Sequence, residues 1–139
     1  MRKIITRFIL FASVFFLVAC MEKEVKVFDE VEISEYAEKI AFKVKDGDIQ
    51  YAYDLFFERY KQGVTVENYK TYVDSVLSEA GEFERLISIE FSESKNPLDE
   101  EPIGATYIRM KYEKGIVIYT IVVDKDKNIT GLSLQLDFS

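Results

Sequence analysis

The chain has no histidine and a single cysteine, Cys20. Without imidazole the commonest general base and metal ligand is missing, which removes zinc-protease motifs and Ser-His-Asp triads. One cysteine cannot close a disulfide within one chain, so stability must come from packing. No glycine-rich phosphate loop occurs, which speaks against nucleotide binding. Basic residues are outnumbered 18 to 25, for a net charge of −7. Such a surface repels phosphate backbones and anionic headgroups, so nucleic acid is not expected as a partner. Repeats and low-complexity segments are also absent.

What is present begins with a basic head, Met1 to Arg7, and an apolar run from Phe8 to Ala19. This is the pattern of a signal peptide. The 12 residues of the run would rise about 18 Å as a helix, short of a bilayer core of roughly 30 Å. The run ends in Leu17-Val18-Ala19-Cys20, which resembles the lipobox of bacterial lipoproteins. The resemblance implies that residues 1–19 are removed and that Cys20 carries two or three acyl chains. One chain binds a membrane only marginally, whereas each further buried methylene adds about 0.8 kcal/mol, making the anchor effectively permanent. Cleavage would remove three basic residues and leave 15 against 25 acidic ones, a net charge of −10. The lipid, not electrostatics, would then hold the protein at the membrane.

Residues 20–32 alternate charges without a lasting helical period and read as a lipidated tether, although Val27, Phe28 and Val31 have the character to dock on the domain. Residues 33–139 read as one α+β domain. Apolar residues at 33, 36, 37, 40, 41 and 44 form one helical stripe, with Ser34 as N-cap and Asp46-Gly47 as terminator. Asp48 caps a second, aromatic helix through Ile49, Ala52, Tyr53, Phe56, Phe57 and Tyr60 to Gly63. Thr65 opens a third, closed by Gly81. The period then shifts from 3.6 to 2. A strand through Phe83, Ile87, Ile89 and Phe91 leads to a 13-residue connection, Ser92 to Gly104, of a length usually functional or mobile. A second strand, Tyr107 to Tyr112, has one wet face. A third, Ile116 to Val123, is apolar at nearly every position, as befits a central strand covered on both faces or screened by a partner. A fourth alternates through Leu132, Leu134, Leu136 and Phe138.

The expected architecture is three N-terminal helices packed on a four-stranded antiparallel meander. Gly47-Asp48-Ile49-Gln50-Tyr51-Ala52-Tyr53-Asp54-Leu55-Phe56, between two helices and ahead of a meander, resembles the corner of nuclear transport factor 2-like (cystatin-like) domains, including those of small bacterial lipoproteins. That likeness implies a cone-shaped α+β fold and no particular activity.

Three short matches to chemical motifs are weak. Asp124-Lys125-Asp126-Lys127-Asn128 opens like a calcium loop, but Ile129 and Gln135 stand where glycine and glutamate are required, so a solvated hairpin turn is expected. Ser92-Glu93-Ser94-Lys95 lacks the companions of a nucleophile motif. Asn128-Ile129-Thr130 is a glycosylation sequon with little meaning in a bacterium. The remaining constellation is aromatic. Tyr36, Ile40, Tyr53, Phe56, Tyr60, Tyr69 and Tyr119 fall on inward-facing positions and are the candidate lining of an apolar pocket. No catalytic residue, metal ligand or cofactor is assigned. The functional expectation is a lipid-anchored cell-envelope module that presents its pocket or sheet face to an envelope protein, a peptide or a small apolar ligand. The alternatives are an isomerase- or dehydratase-type enzyme using a tyrosine and a buried carboxylate, and a self-assembling structural lipoprotein. Met21 after the cysteine, by the lipoprotein family's sorting rule, directs the protein to the outer membrane of a two-membrane cell, otherwise to the outer face of the plasma membrane.

Overall fold

The computed structural model describes residues 27–138. The expected signal peptide, Cys20 and the first part of the expected tether lie outside the described residues. The first helix, α1 (Glu30–Lys45), starts earlier than the stripe alone indicates. Its N-cap is Asp29, whose carboxylate accepts the Glu32 N–H at 3.2 Å, and not Ser34. Glu30 and Glu32 in the first turn and Lys43 and Lys45 in the last oppose the helix dipole at both ends. Ile33, Ala37, Ile40, Ala41 and Val44 form the buried stripe. Asp29→Ala is expected to cost about 1 kcal/mol, the usual value of an N-cap, while Ser34→Ala changes stability by less than about 0.5 kcal/mol. Urea titrations of the two variants check this, and equal losses would contradict the assignment of the cap.

The chain ahead of α1 already belongs to the domain. Phe28 is buried and meets Phe91 edge to face at 6.2 Å. The N–H groups of Val27 and Phe28 donate to the two carboxylate oxygens of Glu93 at 3.1 and 3.3 Å. The tether boundary at residue 32 is therefore corrected: residues 27–32 are packed or helical.

Gly47, at φ 91°, takes the left-handed conformation that ends α1, and Asp48 caps α2 (Ile49–Tyr53) by accepting the Tyr51 N–H. The single aromatic helix expected here is instead two. After α2 the backbone opens to pair with a distant strand: Phe57 N–H donates to Ile129 C=O at 2.9 Å and Ile129 N–H donates to Leu55 C=O at 2.8 Å. These bonds take the place of helical ones, and α3 (Glu58–Lys61) begins only after them. Thr65 caps α4 (Val66–Ala80), which ends at Gly81, φ 86°. Among the described residues the helices number four, not three.

Four antiparallel strands follow, β1 (Phe83–Lys95), β2 (Pro102–Tyr112), β3 (Gly115–Val123) and β4 (Ile129–Asp137), in sheet order β1-β2-β3-β4. The long connection shortens, because β1 continues to Lys95 and Pro102 opens β2 opposite it. Proline is tolerated there as the first residue of a strand. Only residues 96–101 remain as loop. Side chains of β3 alternate between buried (Val117, Tyr119, Ile121, Val123) and half-buried (Ile116, Ile118, Thr120, Val122). Thus helices cover one face of the sheet and the outer β3 side chains stay half-buried, which corrects the first of the two expectations for this strand, cover on both faces. α1 packs on β1 and β2, α4 packs on β3 and β4, and α2 bridges the two helices. The core between the layers is built from Ile40, Val44, Val73, Ile108, Met110, Tyr119 and Ile121. No helix of the described residues is long and apolar enough to cross a membrane.

A candidate binding cleft at the loop end of the sheet

The aromatic residues expected to line a pocket are brought together, but most of them fill space. Phe56 is buried at the centre of a cluster, with ring centroids 5.3 Å from Tyr53, 4.9 Å from Tyr60 and 5.3 Å from Tyr69. Ile40 and Tyr119 are fully enclosed. The tyrosine hydroxyls are engaged by the protein itself. Tyr36 donates to Lys127 C=O at 2.7 Å, Tyr53 to Val64 C=O at 2.7 Å, and Tyr69 to Leu132 C=O. The Tyr119 hydroxyl pairs with that of Tyr112 at 2.5 Å. The pocket-lining assignment is accordingly corrected for Tyr36, Ile40, Tyr53, Phe56, Tyr69 and Tyr119, which do not line the loop-end cleft: their side chains pack within the protein and the tyrosine hydroxyls are bound to backbone or, for Tyr119, to another phenol. Tyr60 is different. Its hydroxyl has no hydrogen-bond partner among the described residues, and its ring lines a cleft.

Burial raises the phenols of Tyr69 and Tyr119 far above the ordinary tyrosine range, and for Tyr119 the hydrogen bond to Tyr112 adds to the effect. Burial also raises Tyr112, with the Tyr119 bond acting against it. Unfolded tyrosines ionise near pH ~10 while these two stay protonated in the fold. Their contribution is complete below that pH and declines above it, by about 1.4 kcal/mol per pH unit for each tyrosine. Urea midpoints measured from pH 9 to 11 are expected to fall steeply above about pH 10 and less steeply for Tyr119→Phe. A flat profile would contradict the burial of both phenols.

The cleft has a volume of about 590 Å³ and opens to solvent at the end of the sheet where β1 meets β2 and β3 meets β4. Three segments distant in sequence form it. The α2–α3 corner contributes Phe57, Arg59 and Tyr60; the 96–101 loop and the start of β2 contribute Asn96, Leu98, Asp99, Glu101, Pro102 and Ile103; the β3–β4 turn contributes Asp124, Lys125 and Asp126, with Thr130 beside it. Local chemistry shapes both loops. In the first, Asn96 N–H donates to Glu101 C=O and Glu100 N–H to Asn96 C=O, both at 2.8 Å. The side-chain oxygens of Asn96 and Asp99 accept the N–H groups of Leu98 and Glu101. In the second, one Asp124 oxygen accepts the N–H groups of Asp126 and Asn128, each at 2.9 Å, and the other accepts Asn128 Nδ2 at 3.1 Å. The Asp124 carboxylate therefore works as the clasp of a hairpin turn. Among the described residues, no three acidic or thiol side chains converge as a metal site.

Across the cleft, Lys125 Nζ lies 3.8 Å from Glu101. Two large apolar side chains stand at the rim with much of their surface in water, Leu98 at 93% exposure and Phe57 at 42%. Val27 and Val31, also exposed, belong to the chain segment that enters the domain near this end. Periodicity had placed Phe57 on an inward helix stripe, and Leu98 had been visible only as one leucine in an acidic, proline-bounded loop. That loop's length was the one signal pointing here.

Comparisons with known proteins agree on the fold and leave the activity open. A family described as "Protein of unknown function (DUF3887)" matches residues 37–132. A search among curated proteins finds no significant match. The solved NMR structure of a protein from Ruminococcus gnavus ATCC 29149 superposes with a TM-score of 0.64, covering 79% of this chain and 94% of that one at 23% identity. At that identity the likeness extends to the fold alone.

Proposed function

The chain belongs to the DUF3887 family, and we propose that it is a lipid-anchored binding module of the cell envelope, with the loop-end cleft as its contact site. The observation that carries this reading is the pairing of an engaged, filled interior with a cleft rimmed by two exposed apolar side chains, Leu98 and Phe57. Apolar groups clustered at the mouth of a concavity are the usual mark of an interaction site. The anchor is read from the Leu17-Val18-Ala19-Cys20 sequence. The finer fold assignment, a nuclear transport factor 2-like cone, is supported by the Gly47-Asp48 corner between α1 and α2 and by the meander that follows.

An isomerase or dehydratase would need a phenol and a carboxylate facing one cavity. Tyr69 and Tyr119 face backbone and another phenol, and Tyr60 has no carboxylate at hydrogen-bond distance among the described residues. This favours binding over catalysis.

A photocrosslinking amino acid at position 98, introduced in cells, is expected to give a discrete adduct in solubilised membranes. The same group at Tyr72 or Ile87, exposed residues away from the cleft, should give none. Leu98→Ser is expected to leave stability within about 0.5 kcal/mol while weakening partner retention. Equal labelling at all three sites, or none at 98, would remove the cleft as the contact site.

A further inference from the structure

We infer that the cleft accepts an extended peptide segment in which lysine or arginine alternates with an aliphatic residue; this rests on the binding reading above. The cleft carries four carboxylates, those of Asp99, Glu101, Asp124 and Asp126, against the two cations of Arg59 and Lys125. Lys125 is already set against Glu101, and the Asp124 carboxylate is held by its own turn. Asp126 has no ion-pair partner among the described residues, and Asp99 accepts only a backbone N–H from its own loop. Acid from two facing loops thus remains to be balanced by an occupant. The same lining includes Phe57, Leu98, Pro102 and Ile103, so the complementary partner carries both cations and apolar groups.

The same features weigh against other occupants. A second copy would bring a chain of net charge −7 to an acidic site, and like charges facing each other are unfavourable. An anionic bilayer surface is opposed in the same way by Asp99, Glu100 and Glu101 beside Leu98. A fully enclosed ligand fits poorly with a cleft that opens to solvent. An extended peptide can lay aliphatic side chains on Leu98 and Phe57 and point its cations at the two loops.

The test titrates the full chain, held in a neutral detergent, with fluorescein-labelled Lys-Leu-Lys-Leu-Lys, Ser-Leu-Ser-Leu-Ser and Glu-Leu-Glu-Leu-Glu, using protein-free micelles as blank. The lysine peptide is expected to bind at least about tenfold more tightly than the glutamate peptide, and more weakly as salt rises. The double variant Asp99→Asn/Asp126→Asn, which keeps the side-chain acceptor at 99 and the turn at 126, is expected to lose about five- to tenfold in affinity for the lysine peptide alone. If the serine peptide binds as well as the lysine peptide, or the double variant binds unchanged, the inference about charge is overturned while the cleft survives as a contact site. If none of the three binds, the inference is likewise overturned. Crosslinking at position 98 then reports separately whether the binding reading stands.

Discussion

Tyr119→Ala is expected to destabilise the domain by about 5 kcal/mol, close to the whole stability of a domain of this size. Tyr119 is the largest of the fully buried side chains and sits on the central strand with none of its surface in water. Removing a large buried ring costs about 3–5 kcal/mol through lost transfer and residual cavity. The deletion also leaves the Tyr112 hydroxyl, buried and 2.5 Å from its only phenolic partner, without that partner, a further ~1–3 kcal/mol. Tyr119→Phe isolates the second component, with an expected loss of about 1–2 kcal/mol. The double variant Tyr112→Phe/Tyr119→Phe removes both hydroxyls and is expected to recover part of that loss, since no buried polar group is left unpaired. Urea denaturation of the four proteins gives the comparison. A Tyr119→Ala protein within about 1 kcal/mol of the parent would mean that the ring faces empty space, and the tyrosine-lined pocket would have to be reconsidered.

That experiment bears on a distinction that the residues alone could not make. The inward positions of Tyr53, Phe56, Tyr69 and Tyr119 follow from helical and strand periodicity, because each repeats the spacing of its apolar neighbours. Periodicity says which way a phenol points and nothing about whether an acceptor waits there. The acceptors are Val64 C=O, Leu132 C=O and the Tyr112 hydroxyl, and Leu132 is supplied from far along the chain. The break between α2 and α3 was hidden for the same reason, since Leu55 and Phe57 leave the helix to bond Ile129. The stretch Ser92–Lys95 has too few apolar residues to read as a strand and is held as one by its register against Pro102–Ala105. By contrast, the stripe of α1, the caps Asp48 and Thr65, the terminators Gly47 and Gly81, and the alternation in β2 and β4 are encoded locally. Those elements were legible. The cleft was not, because its walls come from three segments that meet only once the meander is formed.

Cys20→Ser is expected to move the protein from the membrane fraction to the soluble one, and the parent, extracted from membranes, is expected to show the mass of a diacylglyceryl-modified chain starting at Cys20. Two or more acyl chains hold a protein effectively permanently, whereas one chain binds with K of only about 10⁴ M⁻¹. The described residues offer no substitute: none of their helices is long and apolar enough to cross the bilayer, and the chain's net charge is −7. Such an anchor would also bias the orientation of the domain. Six residues lie between Cys20 and Val27, a reach of at most about 25 Å, and Val27 and Phe28 are tied to Glu93 near the loop end of the sheet. Phe138 follows β4 at the opposite end, where β4 pairs with the start of β3. A strand of nine residues separates the two ends by about 30 Å. A fluorophore at position 98 should therefore be quenched by spin-labelled lipid more strongly than one at 138. Equal quenching at the two positions would show that the cleft does not face the membrane, and a Cys20→Ser protein as membrane-bound as the parent would show that the lipid is not what holds it there.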